Sequence, residues 1–358
     1  MIAEMEVANA IELGRSLQVP SVQEIAKETL APIPSRYVRV DQKCLVSDSD
    51  SLQVPVIDMN MLLDCELMNS ELRKLHQACK EWGFFQLINH GVCNSLLERL
   101  KTEIGGFFRL PLEEKKKFGQ LDGEIEGYGQ LFVVSEEQKL DWADMLYLGI
   151  RPAHLRKPHL LPQFSPSFRD AVLAYSEEVQ SLSMKILKLM AKALGILDPA
   201  DMEVLFEEGL QGMRMNYYPP CPQPDQVVGL TPHSDAGGLT ILLQLNETDG
   251  LQVRKDGLWI PVKPLPSAFI VNIGDILEVV TNGTYPSIEH RGVVDSVKER
   301  LSIATFLHPK IDGEFGPAPS LLSPQNPPKF KRVGTADFLK GYLAQKLSGK
   351  CYLDTLRM

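Results

Sequence analysis

Apolar positions fall into two regimes along the chain. Up to about residue 210 they recur mainly at helical steps. From Met213 onward they gather into runs of four to seven residues separated by turns. In the first regime Leu72, Leu75, Ala78, Cys79 and Trp82 predict an amphipathic helix over 70–82, ended by Gly83. Phe84 to Ile88 then reads as a buried strand, Asn89-His90-Gly91 as a turn and 94–108 as a second helix. The strongest helical signal spans 166–195, where Val172, Tyr175, Val179, Leu182, Ile186, Met190 and Ala193 are spaced by three and four. Asp198-Pro199 follows as an N-cap and first-turn proline, opening a short helix to about Phe206. Upstream, residues 1–50 mix short helical patches with loop, Ser47 to Ser51 reads as a linker, and Val54 to Asp58 as a short strand.

Residues 119–135 break the pattern. Gly119, Gly123, Gly127 and Gly129 crowd together with Tyr128 and Phe132 among them, which marks a candidate lid over a pocket. In the second regime, strands are expected at 213–218, 227–231, 239–245, 251–254, 258–262, 268–273, 276–280, 286–294 and 300–307. Asp256-Gly257 and Asn282-Gly283 are turn dipeptides between them. About eight short strands at this spacing suit a double-stranded β-helix, or jelly roll. A last helix is expected over 335–347. The fold class is therefore α+β, a jelly-roll core flanked by helices. The expected regions are 1–210 (mostly helical, with a few strands packing on the core), 211–312 (the β core) and 313–358 (a C-terminal segment and helix).

Composition changes this picture little. The 358 residues are 44% hydrophobic and 23% charged, average for a globular chain, with enough length to bury a core unaided. The net charge of −9 and the scattered basic residues leave no footprint for nucleic acid; Lys115-Lys116-Lys117 is balanced by Glu113 and Glu114. No apolar run reaches the length of a membrane span. The acidic N-terminus (Glu4, Glu6, Glu12) does not read as a secretory signal, nor Leu356-Arg357-Met358 as a peroxisomal tag. Six dispersed cysteines without C-x-x-C spacing fit reduced thiols. The expectation is a cytoplasmic monomer that acts on a small molecule.

Candidate chemistry centres on His233 and Asp235, in Thr231-Pro232-His233-Ser234-Asp235. Residues i and i+2 of a strand share a face, so an imidazole and a carboxylate can reach one metal ion. H-x-D alone is a weak signal, most often a surface turn. His290, in a later β segment, completes two histidines and a carboxylate, the set that leaves three positions open in non-haem Fe(II) oxygenases. Ten residues beyond, Arg300 and Ser302 again share a face and could grip a carboxylate. Asn216-Tyr217-Tyr218 precedes the proline-rich loop Pro219 to Pro224, just upstream of His233. His90 is read as a turn cap, His76 as a helix residue, His154 and His159 as exposed, and Asp275 as a structural turn residue.

Together these motifs resemble the plant 2-oxoglutarate/Fe(II)-dependent dioxygenases. Val54 to Asp58, Glu81 to Gly91 and Phe107 to Pro111 are similar to that family's N-terminal region. Leu17 to Glu24 and Ile33 to Tyr37 resemble its senescence-related branch, near the morphinan-alkaloid O-demethylases and flavonoid hydroxylases. The resemblance implies His233, Asp235 and His290 as iron ligands and catalytic centre. It implies Arg300 and Ser302, supported by Tyr218 and Asn216, as the 2-oxoglutarate grip. Phe306, with Arg214, Met213, Phe132, Val134 and His308, would wall the substrate cavity. Fe(II), 2-oxoglutarate and O₂ are the implied cofactor and co-substrates, with ascorbate supporting activity. The implied reaction is hydroxylation or O-demethylation of a plant specialised metabolite such as an alkaloid or flavonoid. The competing readings are a catalytically retired jelly-roll binding protein, a zinc hydrolase on the same triad, and an ascorbate-only oxidase. One departure is Pro286, where relatives usually carry Arg or Lys; a proline there favours an edge or bulge in the strand that bears His290.

Overall fold

Two mainly antiparallel sheets carry the site, and the larger draws strands from both halves of the chain. The computed structural model describes residues 16–28, 32–39, 52–196, 198, 201–350 and 352–358. The linker at 47–51, most of the region before residue 50, and Pro199 lie outside them. Strands β1 (Val56–Asp58), β2 (Phe84–Ile88), β3 (Gly127–Gly129) and β4 (Asp144–Arg151) come from the first half. The second half supplies β5 (Gln211–Tyr218), β6 (Leu230–His233), β7 (Leu239–Gln244), β8 (Leu251–Lys255), β9 (Leu258–Pro261), β10 (Phe269–Ile273), β11 (His290–Gly292) and β12 (Arg300–Leu307). The eight-stranded sheet runs β1-β2-β10-β7-β12-β5-β4-β3, and the four-stranded sheet β6-β11-β8-β9. Apart from the parallel β1–β2 pair, the strand pairs of both sheets are antiparallel.

The alternation along β5, β7, β10 and β12 decides what each face meets. One face of the large sheet (Met213, Met215, Ile241, Leu243, Val271, Ile303) packs into the main apolar core. That core is shared with α1 (Met68–Glu81), α2 (Asn94–Arg109) and α3 (Pro166–Leu194). The three helices form where the periodicity predicts them. Ser165 caps α3, its hydroxyl accepting from the Phe168 N–H, and Gly195 ends it at φ 76°. Each fully buried Leu, Ile or Val on such a face stabilises the fold by about 1.5–3 kcal/mol. The other face (Arg214, Asn216, Thr240, Asn272, Arg300, Ser302) looks toward the small sheet. Phe84 and Ile270 pack there against Leu251, Val253 and Ile260.

Several sequence expectations are corrected. The run 276–280 is not a strand but a helix, α4 (Asp275–Val280), with all six residues buried. A segment buried on every side, its Asp275 and Glu278 included, carries no usable period. The His290 strand is shorter than 286–294: three residues long, it begins only after Pro286 and carries a register shift between His290 and Gly292. Among the described residues, the helix expected after Asp198 is regular at Val204–Glu207, and α5 (Thr335–Leu343) stops short of Leu347. All four strands of the first half, β1 to β4, belong to the main sheet.

Gly83 illustrates a backbone requirement that bears on the site. It turns from α1 into β2 at φ 59°, and a Cβ there would lie 2.3 Å from the Pro286 carbonyl oxygen and 2.6 Å from Ile288 Cγ1. Gly83→Ala is therefore expected to destabilise the protein by about 1–3 kcal/mol. Denaturant unfolding of the variant checks this, and an unchanged midpoint would contradict it.

Candidate metal centre and substrate cavity

His233 ends β6 and His290 begins β11. The two stand directly opposite in the antiparallel register, with ring centroids 4.3 Å apart. Asp235 follows two residues after His233. Its Oδ1 lies 3.4 Å from His233 Nε2 and 3.6 Å from His290 Nε2. All three side chains are buried, and their ligand atoms lie within 4.8 Å of one another.

The surrounding hydrogen bonds aim these atoms. His233 Nδ1 donates to the Thr231 carbonyl at 2.8 Å, and His290 Nδ1 to the Ile288 carbonyl at 3.1 Å. In the neutral ring this fixes the tautomer that leaves the Nε2 lone pair for a metal ion. Asp235 Oδ2 accepts from Thr240 Oγ1 (2.7 Å) and Asn272 Nδ2 (2.8 Å), which leaves Oδ1 facing the histidines. Burial works to raise the Asp235 pKa, but the two histidines and the Asn272 amide outweigh it and hold the group well below the carboxylate range. Burial pushes His290 down to about 4, so it is neutral at physiological pH. One anionic oxygen and two imidazole nitrogens converging on a point fit a divalent transition metal. Asn272→Ala is expected to lower iron affinity about 10–100-fold, because Asp235 loses half of its anchoring. Titration with Fe(II) under nitrogen measures the shift, and an unchanged affinity would contradict the anchoring role.

Behind the triad, β5 and β12 pair Tyr218 with Arg300 and Asn216 with Ser302. The Arg300 guanidinium stacks over the Tyr218 ring at 5.1 Å, and its Nε donates to Gln244 Oε1 at 3.3 Å. Arg300 Nη2, Ser302 Oγ and Asn216 Oδ1 are buried without a hydrogen-bond partner. A small pocket of about 40 Å³ lies here between the two sheets, with Arg300, Tyr218, Asn216 and all three triad residues on its wall. Two of these orphans, Arg300 Nη2 and Ser302 Oγ, are donors, and next to a convergent metal-ligand set they fit a ligand that brings a carboxylate to the arginine end.

His233 and Asp235 also face a larger cavity of about 410 Å³. Four of the sequence-derived wall candidates line it: Phe306, Arg214, Phe132 and His308. Met213 and Val134 do not. Met213 is adjacent to Arg214, so it points through the sheet into the helix-side core. Val134 is exposed. The glycine-rich segment supplies part of this wall, through Glu124, Ile125 and Glu126 as well as Phe132. Tyr147 of β4 and Tyr342 of α5 line it too and were not anticipated. The parity of Tyr147 with Gly149 on one strand was the available signal. Of the other histidines, His90 accepts from the Val92 N–H as a turn cap and His76 meets the Tyr285 hydroxyl.

Comparison with known proteins agrees with this geometry. A family model for the 2OG-Fe(II) oxygenase superfamily matches residues 210–309, and one for the N-terminal region of non-haem dioxygenases in morphine synthesis matches 54–167. The chain belongs to the 2OG-Fe(II) oxygenase superfamily. This dioxygenase is 56% identical to oxoglutarate-dependent flavonoid 7-O-demethylase 1 of Ocimum basilicum, over 99% of its own length and 95% of that protein. It is 53% identical to codeine O-demethylase of Papaver somniferum, over 99% and 100% of the two chains. A crystal structure of JOX2 in complex with 2OG, Fe and JA superposes with a TM-score of 0.87 at 35% identity, covering 96% of the dioxygenase and 98% of that chain. The dioxygenase is thus a 2-oxoglutarate- and Fe(II)-dependent enzyme with a jelly-roll fold. Among its described residues, no helix is long and apolar enough to cross a membrane.

Proposed function

We propose that this dioxygenase oxidises a plant specialised metabolite, an alkaloid or a flavonoid, and that removal of an O-methyl group is its leading reaction. The observation that carries this reading is the 410 Å³ cavity of mixed polarity, which opens onto only His233 and Asp235 of the triad. A pocket of that size holds a multi-ring molecule with one edge at the metal. The full-length relatives at 50–56% identity include flavonoid, codeine and thebaine demethylases, which supports the same class.

In this reading His233, Asp235 and His290 hold Fe(II), while Arg300 and Ser302, with Tyr218 and Asn216, receive the far carboxylate of 2-oxoglutarate. When bound, iron with 2-oxoglutarate and O₂ supplies the oxidant, the co-substrate leaving as succinate and CO₂. The chain's own work is placement. Thr240 and Asn272 hold the Asp235 carboxylate still, the two carbonyls lock the imidazoles, and Tyr218 keeps the Arg300 guanidinium flat. Phe306, opposite Gly212, and Phe132 press the substrate toward the triad and displace water. Once a methoxy carbon is hydroxylated, the resulting hemiacetal loses formaldehyde and leaves a phenol or enol. The protein is read as a cytoplasmic monomer. Incubation with a polymethoxyflavone and with a methoxylated benzylisoquinoline tests the reading. Equal amounts of succinate and formaldehyde, with product mass reduced by one CH₂, are expected from at least one. Formation of succinate with neither demethylated nor hydroxylated product would overturn it.

A further inference from the structure

The charged side chains around the substrate cavity are not all neutralised by the protein. Lys157 pairs with Glu124 at 2.9 Å, and Arg151 with Glu177 at 2.6 Å. Glu126 and Arg214 also line the cavity, yet neither has an ion-pair partner within 4.0 Å among the described residues. Arg214 is 7% exposed and its Nε is buried without a hydrogen-bond partner. It borders both the large cavity and the small pocket behind the triad, so it sits where substrate and co-substrate spaces meet. Glu126 borders the large cavity alone.

The sheet is shaped to present both groups. Tyr147 pairs with Arg214 and Gly149 with Gly212 across β4 and β5. The two facing glycines remove side chains where bulk would block the cavity wall. A Cβ on Gly212 would lie 2.3 Å from the Tyr147 hydroxyl, and a Cβ on Gly149 between 3.1 and 3.3 Å from the Glu126 carboxyl group. Glu126 Oε2 accepts from the Gly149 N–H at 2.6 Å, which fixes the carboxyl over the sheet. Burial, the largest influence, pushes the Glu126 pKa up from its ordinary value, with the Gly149 N–H and Lys157 working against it. A carboxylate fixed in place, partly desolvated and with no cation in ion-pair contact is stabilised further by a positive ligand group.

We propose that the substrate carries a basic nitrogen, that Glu126 receives its protonated amine, and that Arg214 receives an oxygen acceptor of the same molecule. The inference rests on the cavity being the substrate site and sharpens it, since it selects an amine-bearing alkaloid over a flavonoid. A neutral polyphenol would satisfy Arg214 and leave Glu126 with the Gly149 N–H but no positive group in contact. A charge-assisted hydrogen bond in a partly buried site changes affinity by about tenfold or more.

The test measures equilibrium binding to the enzyme loaded with Fe(II) and 2-oxoglutarate under nitrogen, so that no turnover occurs. Three probes are used: a methoxylated N-methyl-benzylisoquinoline, the same skeleton as its uncharged N-acetyl amide, and a polymethoxyflavone. The wild-type protein is expected to prefer the amine to the amide by about tenfold or more. In Glu126→Gln that preference should fall to within about threefold, with the flavone affinity moving less than threefold. Glu126→Asp, which keeps the charge, should retain an intermediate preference. A merely structural Glu126 would shift all three affinities together. An amine/amide ratio near one in the wild type, or one that survives in Glu126→Gln, overturns the proposal. The visible charge-transfer absorption of iron-bound 2-oxoglutarate confirms that each variant is folded and loaded. Formaldehyde release on admitting O₂ separates the two readings: demethylation of the flavone with a flat amine/amide ratio sinks the amine proposal and leaves the demethylase reading intact.

Discussion

Asp235→Ala is expected to empty the metal centre and end turnover. Asp235 is the one anionic group of the triad, it is 5% exposed, and its Oδ1 is left free because Oδ2 is occupied by Thr240 and Asn272. Two imidazoles remain after the substitution, with no negative charge to offset a divalent ion in a buried setting. Loss of an outer hydrogen-bond partner alone typically costs about 10–100-fold in metal affinity, so loss of the ligand should exceed about 100-fold. Iron per chain after anaerobic reconstitution, together with succinate formation, measures it. Asp235→Asn keeps the volume and the possibility of the same neighbours, and should fail in the same way. If either variant held a full complement of iron and made succinate at the wild-type rate, the triad assignment would be wrong.

Arg300→Lys is expected to raise the KM for 2-oxoglutarate about 10–100-fold with a smaller change in kcat, equivalent to about 1.5–3 kcal/mol for a hydrogen bond to a charged group. Arg300 is 2% exposed and stacked on Tyr218, and it presents a buried Nη2 with no protein partner. Lysine keeps the charge but loses both the planar fork and the stacking surface. Burial pushes the Arg300 pKa down, against the influence of Tyr218, so the site is one where a cation is retained only with favourable company. Ser302→Ala should act in the same direction and by less, since it removes a neutral hydroxyl. Succinate formation against 2-oxoglutarate concentration gives both constants, and an unaltered KM in Arg300→Lys would remove the co-substrate assignment.

The metal centre was legible in the sequence because its logic is local. His233 and Asp235 are two apart, as are Arg300 and Ser302, and strand alternation puts each pair on one side. His290 needed only a place in a later strand. The same parity rule also exposes an error. Met213 cannot share a face with Arg214, Asn216 and Tyr218 being on the latter's side, so its place in the helix-side core follows from spacing alone. Other features were not readable this way. Ile276 to Val280 is a short run, apolar but for a buried Glu278, surrounded by protein on every side, which gives helix and strand the same appearance. β4 begins on a buried Asp144 and contains Gly149, so its eight residues lack the profile of a sheet strand. Asp144 belongs there because the backbone N–H groups of Val22 and Gln23 and the Ser21 and Tyr128 hydroxyls donate to it, contacts 16 or more residues distant in the chain. Glu126 and Tyr147 become cavity residues only through those pairings.

The shared large sheet has a consequence for recombining this enzyme with its relatives. β2 pairs with β10, and β4 pairs with β5. Both seams join the first half of the chain to the second, and the substrate cavity straddles one of them. A chimera that exchanges residues from 211 onward would carry the whole metal centre of its donor but only part of the donor's cavity wall. Such a hybrid inherits the oxidising chemistry from one parent and a selectivity belonging to neither, unless the 119–151 segment travels with it.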